Sequence, residues 1–550
     1  MMIFTMTRRL LPLVLMATAL FPVPSAASTG PVVETAAGMV EGKAVKGVRI
    51  FKGIPYAAPP VGKLRWAPPQ PASGWQGVRD ATRFGPACMQ PKPRGPSIYA
   101  WDLPATSEDC LSLNIWAPEK ARDAPVFLWI HGGSLTSGSG GDPLYDGSAL
   151  AARGIVVVSI NYRLGALGYL AHPALSGESP DGISGNYGLL DQIAALEWVK
   201  RNIGAFGGDA GNVTIAGESA GALSVMYLMS APSARGMFHK AIAQSAYMVS
   251  APALREKRNG MVPAEEQGIE LAAKLGVTDL AALRALPAEE IASKTPATGY
   301  FPFPVIDGKT VPRQLVETFD RNEQAPVPIL AGFNAGEIRS LRFLLPRAPD
   351  DAAAYEAAIR ANHGEFADAF LARYPAKDID ESMLATTRDA MYGWTAERLV
   401  SNQAALGLPA YLYLFDHGYP ATEQWKLHAF HAAELPFVFD TAGKTPPLWP
   451  KIPDKLAERK LIAAMGDYWT SFARSAQPRA DGQPDWVPYA QDRAFMHFGA
   501  EPRVGHNLFP GMAALHEAVV CRRRAAGNIP WNWNVGVISP PLPSKAEGCQ

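Results

Sequence analysis

Short, almost uninterrupted apolar runs punctuate the chain, each followed by glycines or by a helical repeat. Val126-Phe127-Leu128-Trp129-Ile130 ends at His131-Gly132-Gly133, and Ile155 to Ile160 is a second such run. Val213 to Ala216 is a third; His239 to Ser245, Val327 to Phe333 and Tyr411 to Phe415 repeat the pattern. Runs of this length, rich in Val and Ile, predict strands covered on both faces. Between them the period changes. Leu189, Ile193, Leu196, Val199 and Ile203 recur at helical spacing, and Ala220 to Met229 also reads as helix. Covered strands separated by helices predict an α/β fold: a central, mostly parallel twisted sheet flanked by helices.

The remaining segments are arranged around that body. Val32 to Ile54 alternates β-rich runs with glycines, as small hairpins do. The Pro-rich passage from Ile54 to Pro71 is expected to be irregular and to wrap the surface. Val262 to Leu286 and Asp350 to Arg398 read as helical insertions that form pocket walls. Asn528 to Gln550, with Trp531, Trp533 and several prolines, reads as a tail extended over the surface. No internal repeat or linker splits the body, so the expected division is a leader at 1–27, one catalytic domain at 28–527 and the tail at 528–550.

Composition narrows the function classes. With 48% hydrophobic residues the chain can bury a large core. Lys plus Arg and Asp plus Glu are both 51, and no basic cluster suggests nucleic acid. The run Arg522-Arg523-Arg524 is expected to be a solvated helix face. Arg8 and Arg9, the apolar run Leu10 to Phe21 and the small residues Ser25-Ala26-Ala27 read as a secretory signal cleaved after Ala27. The apolar run is too short to cross a bilayer, and no later run is long enough, so a secreted or periplasmic protein without a stable membrane anchor is expected. Cys88, Cys110, Cys521 and Cys549 lack metal-ligand spacing; disulfides are the natural use, and proximity favours Cys88 with Cys110 and Cys521 with Cys549.

The candidate chemistry begins at Gly217-Glu218-Ser219-Ala220-Gly221. Between a strand and a helix, glycines two before and two after a serine permit a sharp turn that lifts its Oγ past the sheet. Upstream, Gly132 and Gly133 at another strand end can turn backbone N–H groups toward the same place. With the N–H of Ala220 they are candidates for an oxyanion hole. A serine needs a base. His428 and His431, on a loop after a late strand, both qualify, and Glu337, just beyond the strand ending at Phe333, supplies an acid in the order Ser, Glu, His. Glu218 reads equally as buried beside the serine or as facing a polar loop. Ser245 reads as a strand-end serine, with support of the site from behind as the alternative, and Arg339 and Arg342 as surface charge, with contact to an acidic substrate as the alternative. Trp101, Phe301, Phe303, Phe343, Trp394 and Trp425 are candidate pocket walls, although core packing is the commoner use of each. Asn212-Val213-Thr214 leads into a buried strand and is discounted as a glycosylation site, and His516-Glu517 lacks the second histidine of a zinc helix.

The segments FGGDAGNVTIAGESAG (Phe206 to Gly221) and EDCLSLNIWAP (Glu108 to Pro118) resemble the two signatures of the type-B carboxylesterases, the family that includes the cholinesterases. FKGIPYAAPP from Phe51, NYRLGALGYL from Asn161 and GNYGLLDQIAALEWVKRNIGAFGGD from Gly185 extend the resemblance across about residues 32–525. It implies an α/β-hydrolase fold and a serine esterase acting on small carboxylic esters, with no cofactor or metal. It implies Ser219 as nucleophile, Glu337 as acid, His431 rather than His428 as base, and Gly132, Gly133 and Ala220 as the oxyanion hole. It also matches the Cys88–Cys110 bridge to the family's first disulfide. The sequence departs from the family pattern at Ser112, at Ala335-Gly336 before the acid, and at Ala432 after the histidine. Lipases, thioesterases and amidases use the same triad, and non-catalytic relatives tend to lose members of it; all the candidates are present here.

Overall fold

The computed structural model describes residues 1–2, 30–93, 95–103, 105–532 and 535–549. The expected leader's charged and apolar parts, its cleavage point after Ala27 and Trp533 lie outside the described residues.

Eleven strands form one large sheet, labelled here in chain order. They are β1 (Lys43–Val45), β2 (Val48–Pro55), β3 (Ser112–Pro118), β4 (Ala124–Ile130), β5 (Val156–Ile160), β6 (Gly208–Glu218), β7 (Lys240–Gln244), β8 (Ile329–Asn334), β9 (Ala410–Phe415), β10 (Ala494–Phe498) and β11 (Pro502–His506). Their spatial order is β11-β10-β9-β8-β7-β6-β4-β5-β3-β2-β1. From β5 across to β10 every neighbour is parallel, and antiparallel strands close both edges. The apolar runs predicted as strands from Val126 onward are all in this sheet, whereas Val32–Thr35, Gly38–Glu41 and Val78–Asp80 form a separate small sheet.

The alternation along β4 explains the layers. Phe127 and Trp129 face one way, into a cluster with Val157 and with Met465 and Trp469 of a long helix, Leu456–Ser475. Leu128 and Ile130 face the other way, with Val158, Leu189, Val199 and Met226. Those last residues come from the two helices read from the sequence, Tyr187–Asn202 and Ala220–Ser230. Complete burial of each such side chain contributes about 1.5–3 kcal/mol, so the apolar runs fix both the strand and its two coverings. Because β5 lies on one side of β4 and β6 on the other, the chain changes direction between β4 and β6. A crevice at the carboxyl ends of strands is expected at such a switch point.

Both expected disulfides are present, Cys88–Cys110 and Cys521–Cys549. Closing loops with sequence separations of 22 and 28 contributes about 3 kcal/mol each in the chain-entropy account. Three readings are corrected. Arg522 and Arg523 are not a solvated face: each is only 2% exposed, and Arg522 pairs with Glu365 and lies over the ring of Phe366. A run of three arginines must present different sides of its helix, and here one side meets the body. Ile54 and Pro55 belong to β2, and Tyr56 and Trp66 are buried, so the Pro-rich passage is partly interior. The tail likewise starts inside: Trp531 is fully buried against Trp394, and Asn532 Nδ2 donates to the carbonyls of Met248 and Ala390. Among the described residues no helix is long and apolar enough to cross a membrane, and no cluster of metal-ligating side chains is found.

Candidate active site

At the switch point β6 runs directly into the helix Ala220–Ser230 through Ser219, whose φ of 55° and ψ of −121° lie outside the regions ordinary residues favour. Such a conformation costs about 1–3 kcal/mol and persists only where its surroundings hold it. Ser219 N donates to Gln244 O at 3.0 Å, tying the bend to the end of β7. The flanking glycines are required by close approach. A Cβ on Gly217 would lie 2.4 Å from the Gly221 carbonyl carbon, and one on Gly221 would lie 2.0 Å from the Ile130 carbonyl oxygen.

The loop after β4 comes up beside this bend. A Cβ on Gly132 would stand 3.2 Å from Ser219 Cβ and 2.9 Å from Glu218 Oε2, so only a glycine leaves the space open. Among the described residues, the N–H groups of Gly132, Gly133 and Ala220 donate to no other group. Unpaired backbone donors at buried positions are uncommon, and a developing oxyanion is a partner that would satisfy them. His131 turns away: its ring stacks on Tyr162, and burial lowers its pKa to about 4.

His431 and Glu337 meet in the interior. His431 Nδ1 lies 2.5 Å from Glu337 Oε2, with Glu337 fully buried. The other oxygen of Glu337 accepts from Ser245 Oγ at 2.6 Å and from Asn334 N at 2.8 Å. Ser245 is therefore not a plain strand-end serine; it holds the carboxylate. The two loops are laced together, since Gly336 N donates to Ala429 O and Asn334 Nδ2 donates to Phe430 O. Tyr99, in the Cys88–Cys110 loop, donates its hydroxyl to His431 O at 2.9 Å, and the Tyr392 ring lies 5.4 Å from the imidazole.

Glu218 is buried, which decides between its two readings. Its Oε1 lies 3.0 Å from His431 Nε2, the ring nitrogen not bonded to Glu337. In this arrangement Ser219 Oγ makes no hydrogen bond among the described residues, and Glu218 occupies that face of the ring. Burial, the largest influence on His431, pushes its pKa down, but Glu218 and Glu337 outweigh it and raise it to about 9. Burial also raises Glu218 to about 8, with His431 acting in the opposite direction. A third carboxyl, Glu434, is fully buried nearby. It accepts from Gln244 Nε2 at 2.9 Å and Asn334 Nδ2 at 2.6 Å, and Gln244 Oε1 accepts from Trp469 Nε1. Burial, then Glu337, raises Glu434 to about 7.

His428 lies outside this group, with its ring between Asp416 and Glu423. Arg339 and Arg342 pair with Glu381 and Asp380 at the surface. Of the candidate wall aromatics, Trp394 is core, its Nε1 donating to Glu517. Phe301, Phe343 and Trp425 are exposed and Phe303 is half-buried, whereas the half-buried Trp101 packs against the core cluster that holds Trp129 and Trp449. Gln244, Asn334 and Glu434 were missed by sequence reasoning. The one signal for Glu434 is a lone carboxylate three residues after His431, in the otherwise apolar stretch before Leu435-Pro436-Phe437.

A family model described as the carboxylesterase family matches residues 29–514. The chain belongs to the carboxylesterase family. As a carboxylesterase it is a carboxylic ester hydrolase, and its relatives bear this out. A fumonisin B1 esterase of Sphingopyxis macrogoltabida is 38% identical over 508 residues, covering 88% of this chain and 90% of the relative. A para-nitrobenzyl esterase of Bacillus subtilis (strain 168) is 35% identical over 476 residues, covering 84% and 94%. Among solved structures, a PNB esterase superposes with a TM-score of 0.77 at 32% identity, covering 88% of this chain and 99% of the other. The carboxylesterase sheet and its flanking helices are those of the α/β-hydrolase fold.

Proposed function

We propose that this carboxylesterase works through a Ser219–His431–Glu337 triad. His431 Nε2 takes the proton of Ser219 as Oγ attacks the ester carbonyl. Glu337 orients the imidazole through Nδ1 and stabilises its cationic form. The N–H groups of Gly132, Gly133 and Ala220 receive the oxyanion. His431 then protonates the departing alcohol, and water releases the acyl group by the same steps. For the attack to occur, Ser219 must replace Glu218 at Nε2.

One observation carries the reading: a buried imidazole bonded at Nδ1 to a fully buried carboxylate meets, at Nε2, the side chain of Glu218, the residue next to a serine on a strained strand-to-helix turn. Ser219→Ala should reduce hydrolysis of p-nitrophenyl butyrate by about 10⁴-fold or more while the unfolding transition stays in place. Turnover within a few fold of the parent would remove Ser219 from the role of nucleophile.

The named relatives act on dissimilar esters, so the substrate class stays at small carboxylic esters. The two disulfides support an oxidising destination. We therefore read residues 1–27 as an export leader, 28–527 as the catalytic domain and 528–550 as a tail stapled by Cys549. The exported protein should have a mass beginning at Ser28; a mature mass that includes Met1 would refute the leader.

A further inference from the structure

The loop that carries His431 holds a second histidine in an unusual setting. His428 has φ of 50°, a left-handed conformation that costs a non-glycine residue about 1–2 kcal/mol. Both of its ring nitrogens face carboxylates: Nδ1 is 2.7 Å from Glu423 Oε1, and Nε2 is 2.8 Å from Asp416 Oδ1. A neutral imidazole can donate through only one nitrogen, so this geometry is satisfied only by the imidazolium. The other oxygen of Asp416 is 2.9 Å from His497 Nε2, and His497 Nδ1 accepts from Arg503 Nε at 3.2 Å. With Nδ1 accepting, it is Nε2 that donates to Asp416. Space has been left for the arrangement: a Cβ on Gly418 would fall 1.9 Å from Glu423 Oε1 and 2.6 Å from His428 Nδ1.

The charged groups facing the ring come from each neighbouring element. Asp416 follows directly on β9, Glu423 sits in the short helix Pro420–Gln424, and His497 in β10 and Arg503 in β11 stand behind Asp416. His417, next to Asp416, also feels the His428 charge. The net field is negative at His428. The Asp416 hydrogen bond is the largest influence and raises the pKa above its ordinary value, with burial opposing it. Directly after His428 come Ala429, Phe430 and His431, whose carbonyls accept from Gly336 N, Asn334 Nδ2 and the Tyr99 hydroxyl.

We propose that His428 is a positioning residue for ester hydrolysis: clamped between Asp416 and Glu423, it fixes the 427–431 turn and with it the direction in which His431 faces Ser219. The inference rests on the reading of His431 as the base. The clamp holds while His428 is protonated and is lost as pH rises through its raised pKa. It therefore contributes a fall in kcat towards alkaline pH, superposed on the rise that titration of His431 gives.

The test is steady-state hydrolysis of p-nitrophenyl butyrate between about pH 5 and 10 by the full chain and by His428→Gly, His428→Asn and His431→Gln. Glycine relieves the backbone and removes only the clamp; asparagine tolerates the same backbone without a charge. Both His428 variants should lose about tenfold or more in kcat, with KM within about twofold, and should lack the alkaline fall. If one variant fails to fold cooperatively, the other decides by the same readouts. Parental kcat and an unchanged alkaline fall in a folded His428 variant would overturn the clamp, and the triad would survive if His431→Gln is inactive. An active His431→Gln would overturn both.

Discussion

In the proposed triad Glu218 stands where the serine hydroxyl must go, and replacing it with glutamine isolates the effect of its charge. His431 can accept the serine proton only when neutral. Its pKa is raised to about 9, chiefly because burial is outweighed by Glu218 and Glu337. Below that value the imidazolium predominates, so kcat/KM should rise with pH along an acid limb. Glu218 Oε1 is 3.0 Å from Nε2, and the two charge centres lie about 4 Å apart. At an effective dielectric of about 20 that separation gives roughly 4 kcal/mol, or about 3 pKa units. The full amount is not available, because burial drives Glu218 itself toward its neutral form, with a pKa of about 8. The two groups titrate as a pair. Glu218→Gln should therefore move the acid limb down by about 1–2 units. The assay is kcat/KM for p-nitrophenyl butyrate across pH, which reports the free enzyme. An acid limb that stays put, or moves up, would refute the account in which Glu218 stabilises the imidazolium.

Two further substitutions test the other parts. Gly132→Ala forces a methyl to within 2.9 Å of Glu218 O and 3.2 Å of Ser219 Cβ; kcat should fall about 10²–10³-fold, with thermal unfolding shifted by only a few degrees. Ser245→Ala removes a 2.6 Å donor from Glu337. Urea denaturation should show a loss of about 1–3 kcal/mol, accompanied by reduced kcat; an unchanged kcat would limit Ser245 to a structural part.

Much of the architecture was readable because it depends on local chemistry. The β4 run Val126 to Ile130 has no polar position, so it had to be a strand with two covered faces. The glycines around Ser219 are tied to backbone approaches of 2.0–2.4 Å that no side chain could accept. The choice between His428 and His431 was not readable from pattern, since both follow the same strand and only the resemblance favoured His431. What separates them is their surroundings: one ring meets the buried Glu337, the other lies between Asp416 and Glu423. The Arg522–Arg523 pair is misread from pattern, and Ser245 is left between two readings, for a related reason. Each has an unremarkable neighbourhood in sequence, and each acquires its role from a partner about 92 to 157 residues away.

The network around Gln244 links elements that the sequence presents as unrelated. The Gln244 carbonyl holds Ser219 N–H, and its side chain spans Trp469 and Glu434. Glu434 accepts from Asn334, which also donates to the Phe430 carbonyl, one residue before His431. A continuous path of buried hydrogen bonds thus joins the strained serine turn to the histidine loop. Leaving any buried member unpaired costs about 1–3 kcal/mol, comparable to the strain stored at Ser219. The bend and the imidazole are therefore held by one set of groups, and slack at Gln244 or Glu434 would be felt at both ends of the proton transfer. On the proposed triad, a fully buried carboxyl three residues past His431 belongs with the site although it touches neither Ser219 nor the imidazole nitrogens: it holds the loop of His431 against the strand that holds Ser219.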